Sequence, residues 1–144
     1  MENKFSLIHY DSKNDQEVQY SDAEITDLKI AQLVHTIAST AEDFVIITPN
    51  VPINDSLFMQ IMALSDDDMH LEIGYGDYNY ICYKNIAKAI VDLQNYHNEM
   101  LPELTTWQKF NLHKKAFSFA NNFKRLFHRD KKDSADKYQS KITK

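Results

Sequence analysis

The stretch HLEIGYGDYNYICY, residues 70–83, holds both glycines of this 144-residue chain. Gly76 followed by Asp77 suits the centre of a type II′ turn, because glycine takes the positive φ that the first central position requires. A two-residue turn fixes a register. Tyr75 then faces Tyr78, Ile73 faces Tyr80 and Leu71 faces Cys82, and these six form one mostly apolar face. Alternation places His70, Glu72, Gly74, Asn79, Ile81 and Tyr83 on the other. That mixed face has two readings: an interaction surface, since tyrosine is favoured at interface hot spots, or a face covered by a helix. Gly74 would leave room there for a neighbour.

Working outward, Phe44–Thr48 (FVIIT) is continuous and β-branched, as expected of a strand buried on both sides and stopped by Pro49. Ser56–Leu64 reads as a further strand, and Asp66, Asp67 and Asp68 as a solvated turn before the hairpin. Upstream, Phe5–Tyr10 and Glu17–Tyr20 are extended around the polar DSKNDQ. Ser21 with Glu24 three residues later forms a capping box. Ile25, Leu28, Ala31, Val34, Ile37 and Ala38 follow at helical spacing, to about Thr40. Asn85–Met100 is a second helix, with Ile86, Ile90, Leu93 and His97 on one face and Pro102 ending it. A long final helix is expected from about Thr106 to Arg129, with residues 130–144 a charged, disordered tail. The fold class is therefore α+β, a mainly antiparallel sheet packed with helices. Residues 1–129 form one domain in this reading.

GYGD also occurs in potassium-channel filters, but a spanning helix needs about 20 apolar residues. The strictly apolar runs here are four residues or fewer. MENKFSLIHY has no apolar stretch of signal-peptide length, so a cytoplasmic location is expected. The single cysteine, Cys82, excludes an internal disulfide and a zinc–cysteine cluster. Opposite Leu71 it should be a packed, unreactive thiol. The histidines show no i,i+4 pair, and two glycines cannot build a phosphate loop. No catalytic residue, metal ligand set or cofactor is expected.

Charge is divided. Residues 1–108 carry 18 Asp/Glu against 5 Lys/Arg, and residues 109–144 carry 11 Lys/Arg against 3 Asp. An acidic body steers basic partners toward it. In residues 112–129 (LHKKAFSFANNFKRLFHR), Leu112, Ala116, Phe119, Ala120, Phe123, Leu126 and Phe127 cluster within about 120° of a helical wheel. Lys114, Lys115, Lys124, Arg125 and Arg129 supply the charge, and Phe117 falls off the main stripe. Such a basic amphipathic helix would lie on an anionic membrane, dock in a partner's groove, or close the protein's own core or a homodimer. An acidic body argues against nucleic acid.

Asp43–Ile47, Phe58, Gln60, Glu72, Tyr80 and Leu101–Trp107 follow a pattern: buried strand, strand with an aromatic and Gln, hairpin with Glu on its first arm, helix, then LP-x-L-x-x-W. Over residues 43–107 the chain resembles a type of small, mostly uncharacterised bacterial α+β protein. Some similar small acidic folds act as immunity proteins that neutralise toxins of competing bacteria. The resemblance implies a non-enzymatic module that binds a basic protein, such as a toxin, through its acidic surface. The expected contacts are Asp66, Asp67, Asp68, Asp77 and Tyr78. The alternative is a peripheral membrane or scaffold protein anchored by residues 107–129.

Overall fold

The computed structural model of the chain describes residues 3–65 and 67–112. They build a seven-stranded, wholly antiparallel sheet carrying two helices, an α+β arrangement. The strands are β1 (Phe5–Asp11), β2 (Gln16–Tyr20), β3 (Phe44–Pro49), β4 (Phe58–Ser65), β5 (Asp68–Gly74), β6 (Tyr78–Lys84) and β7 (Gln108–Asn111). Their order across the sheet is β2-β1-β3-β4-β5-β6-β7. Helix α1 (Asp27–Ala38) joins β2 to β3, and α2 (Ile86–His97) joins β6 to β7.

The hairpin at the centre of the sequence has the register its turn dictates. Leu71 pairs with Cys82 and Ile73 with Tyr80. Tyr75 N donates to Tyr78 O at 2.9 Å. Gly76 has φ +98°, whereas Asp77 is not left-handed, as a type II′ turn requires. Gly74 is needed for a different reason. A Cβ there would collide with the ring of Phe58, its cross-strand partner, which lies over the glycine.

Both helices pack on the face that holds Leu7, Val45, Ile47, Met59, Ile61, Leu71 and Ile73. Ile30, Leu33, Val34 and Ile37 of α1 and Ala89, Leu93 and Tyr96 of α2 complete this core. Truncating a side chain such as Leu71 to alanine in so close-packed a layer costs about 2–5 kcal/mol. The opposite face is buried too, through Ile8, Phe44, Ile46 and Ile81. FVIIT is thus covered on both sides, and β3 takes a place inside the sheet between β1 and β4.

Three boundaries differ from the sequence reading. The Ser21–Glu24 box exists, with Ser21 N donating to Glu24 Oε1 at 2.8 Å, but it closes a single 3-10 turn, Asp22–Glu24. Ile25 is extended and drops into the core, so α1 starts afresh behind Thr26, whose side chain accepts from Lys29 N. The second helix was expected over Asn85–Met100; Asn85 is instead its cap, accepting from Lys88 N, the helix ends at His97 and the chain reverses at Glu99, φ +63°.

The third difference is larger. The long helix expected from Thr106 does not begin there: Gln108–Asn111 form β7, antiparallel to β6. Trp107 is buried in the helix-side core, and Leu101 and Leu104 pack against it. With Trp107 anchored, the following residues reach the outer edge of β6, which would otherwise present unpaired backbone groups. The membrane-anchor reading of residues 107–129 therefore loses its first residues to the sheet. Its remaining residues Lys114, Lys115, Phe117, Lys124, Arg125 and Arg129, like residues 130–144 and Asp66, lie outside the described residues. Among the described residues no helix is long and apolar enough to cross a membrane.

Candidate functional site

The β5–β6 turn projects a cluster of tyrosines at one end of the sheet. Tyr75 and Tyr78 are neighbours across the turn, and their rings stack at 5.2 Å between centroids. Tyr80 meets both edge-on, at 5.7 and 5.9 Å. Lys109 of β7 places its ammonium 4.1 Å from the centre of the Tyr78 ring, a cation–π contact. Alternation explains the grouping: Tyr78 and Tyr80 share one face of β6, and the turn brings Tyr75 beside them.

A second loop is fastened to this turn. Ile53 and Ser56 exchange two backbone hydrogen bonds, 3.0 and 2.8 Å, around Asn54 and Asp55. Both central residues are left-handed, φ 48° and 72°, the geometry that Asn and Asp tolerate best among non-glycine residues. Ser56 Oγ shares a 2.9 Å hydrogen bond with Tyr96 Oη of α2, and Leu57 N donates to Gly74 O at 2.7 Å. Asp55 is thereby held beside Tyr75. Burial pushes the Tyr75 phenol above its usual range, and Tyr78, Tyr80 and the Asp55 carboxylate add to the effect. The Tyr75 phenol stays a neutral donor. Tyr96, deeper, is pushed up to about 12 by burial.

The result is a pinned tip with an aromatic floor and two exposed carboxylates, Asp55 and Asp77. Leu57, 41% exposed, adds an apolar spot beside Gly76. Rigid aromatic and carboxylate groups of this kind suit recognition of lysine or arginine: carboxylates pair the charge, and ring faces attract it.

The five contacts expected from sequence do not lie together. Asp77 and Tyr78 belong to this tip. Asp67 and Asp68 lie at the other end of β5, seven residues or roughly 20 Å away. Asp67 Oδ1 accepts from Ile86 N at 3.1 Å and so helps to start α2. Asp55 went unnoticed in the sequence, because only the fold brings its loop against Gly76; the clue was the Asn-Asp pair, a turn signal between Ile53 and Ser56.

The mixed face of the hairpin is mostly buried. Gln60, Glu72 and Ile81 are successive cross-strand partners on β4, β5 and β6, and Asn79 Nδ2 donates to Glu72 Oε2. Gln60, Glu72 and Asn79 are each almost fully buried. Phe58, Gln60 and Glu72 share this face. His70, also here, is held down to about 4 by burial. Tyr83 alone of the six remains well exposed. On the helix side, burial pushes the Cys82 thiol up to about 11, mainly against the pull of Lys84, which suits an unreactive side chain. Lys84 itself bonds Asp92 at 2.6 Å and lies over Trp107. Among the described residues no group of three or more His, Cys, Asp or Glu could hold a metal ion.

Comparison with protein-family models, with curated proteins and with solved structures returns no match.

Proposed function

We propose that the chain is a non-enzymatic binding protein, of immunity or inhibitor type, that captures a basic protein through its acidic surface. The observation that carries this reading is the tip: Asp55 and Asp77 stand exposed around the Tyr75–Tyr78–Tyr80 cluster. Fastening to β5 and α2 lowers the ordering cost of binding, which favours affinity in a small contact. Residues 1–108 carry the acidic excess that steers a cationic partner on approach.

The test is retention of a co-purifying partner at about 0.1 M and about 1 M salt, between which the Debye length shrinks from about 10 to about 3 Å. A basic partner released by salt, and lost from an Asp77→Asn/Tyr78→Ala variant that folds normally, is the expected result. Retention indifferent to both salt and substitution overturns the reading.

A further inference from the structure

We propose that Lys109 is an internal competitor for the tip, holding over the Tyr78 ring the place that an arginine of the basic partner takes on binding. The inference rests on the tip reading and names the side chain that the tip receives. Lys109 of β7 pairs with Tyr80 of β6, and Tyr78 lies two residues away on the same face of that strand. This diagonal is within the reach of a long side chain. The ammonium lies 4.1 Å from the ring centre. Among the described residues Lys109 forms no ion pair, so the ring is the contact that holds its charge. The chain's own lysine thus shows which chemistry the ring attracts.

All four residues of β7 are exposed, so the ammonium stays in contact with water and its hold on the ring is weak. The backbone of β7 is fixed by its pairs with β6 and by buried Trp107, so release needs only rotation of the lysine stem. An ammonium is strongly hydrated, whereas a guanidinium is planar, less hydrated and stacks on aromatic faces. An arriving arginine is therefore the better occupant of the same ring. Tyr75 stacks on Tyr78 and Tyr80 meets it edge-on, which keeps the ring in place when Lys109 leaves. Asp55, held beside Tyr75 by the Ile53–Ser56 turn, adds attraction for the incoming charge. Until it is displaced, Lys109 covers the ring and repels a second cation. It thereby lowers the tip's affinity for any basic ligand, and a lone basic group is held too weakly to stay.

The probe is a blocked arginine–glycine–arginine peptide, titrated into the full isotope-labelled chain and followed by NMR. In the unbound chain the Tyr78 ring should shift the ε-methylene protons of Lys109 upfield, and that shift should disappear as peptide is added. Lys109→Met, which keeps the stem without the charge, should bind the peptide about two- to fivefold more tightly. Lys109→Arg should bind it no more tightly than the native chain. Lys88→Met removes a charge from the first turn of α2, which starts beside Asp67 at the far end of β5, and should leave the affinity unchanged. Both lysines are exposed, so these variants keep the fold. Signals of residues 75–80 that move with peptide while Lys109 stays upfield, with equal affinity for Lys109→Met, overturn the inference and leave the tip reading intact. An equal gain from Lys88→Met also overturns it, by tracing the effect to net charge alone. No response among residues 75–80 in any of these proteins overturns both.

Discussion

His70 links the stability of this fold to mild acid. The side chain is 6% exposed, on β5 between Met62 of β4 and Tyr83 of β6, whose ring meets it edge-on at 5.1 Å. Burial holds its pKa down to about 4, against 6.5 for an unperturbed histidine. At pH 7 the imidazole is neutral in both folded and unfolded chains. Between 6.5 and 4 the unfolded chain takes up a proton that the native chain refuses, so stability falls as the pH is lowered. The slope approaches about 1.4 kcal/mol per pH unit for one proton. At pH 5 the loss from this group is therefore about 2 kcal/mol, with a ceiling of about 3 kcal/mol reached near pH 4. For a domain stable by about 5–15 kcal/mol this is a large fraction. Urea unfolding of the native chain and of His70→Gln, measured at several pH values from 7 to 5, isolates the effect. The substitution lowers stability at every pH, but the native chain should lose about 2 kcal/mol more than the variant over that interval. Carboxylates titrate in both proteins and cancel in the difference. Parallel curves would refute the reasoning, and so would an NMR titration showing His70 protonated near pH 6.5 in the folded chain.

Gly76→Ala places a side chain at φ +98° and should cost about 1–2 kcal/mol by thermal or urea unfolding, with little effect on the core. Gly74→Ala should cost about 1–3 kcal/mol because the Phe58 ring must leave the space it fills; adding Phe58→Leu should restore part of the loss. Cys82, pushed up to about 11, should react with iodoacetamide at pH 7.5 about 100-fold more slowly than an ordinary thiol, and at the ordinary rate once the chain is unfolded. A fast reaction in the folded state would contradict its burial.

Local chemistry made the middle of the sheet readable. One glycine at a turn set the pairing of β5 with β6, and β-branched Phe44–Thr48 announced a strand covered on both sides. The ends of elements depended on distant residues. Ser21 and Glu24 do form their box, but whether a helix continues was decided by Ile25, which the core draws inward. A helix was expected from Thr106, yet the unpaired edge of β6 gave the chain after Trp107 a better partner, and no local pattern records that edge. The tip was half legible. Asp77 and Tyr78 stood out beside their glycine, whereas Asp55 joins them through a local turn, a Leu57–Gly74 backbone hydrogen bond and a Ser56–Tyr96 hydrogen bond between residues 40 apart. Asp67 and Asp68 looked equivalent to Asp77 in the sequence, and only the length of β5 separates them.

The strand order also sets an order of events for a growing chain. β3, β4, β5 and β6 are neighbours in the sheet as they are in the sequence, so each pairing closes a short loop. β1 joins the sheet only through β3, with β2 and α1 intervening, which is a slower closure. Pulsed hydrogen exchange during refolding should accordingly protect Phe44–Lys84 before Phe5–Asp11. On the ribosome the β1–β2 hairpin is made before β3, the strand that seats it. Until β3 arrives, both of its edges are open to whatever strand comes by.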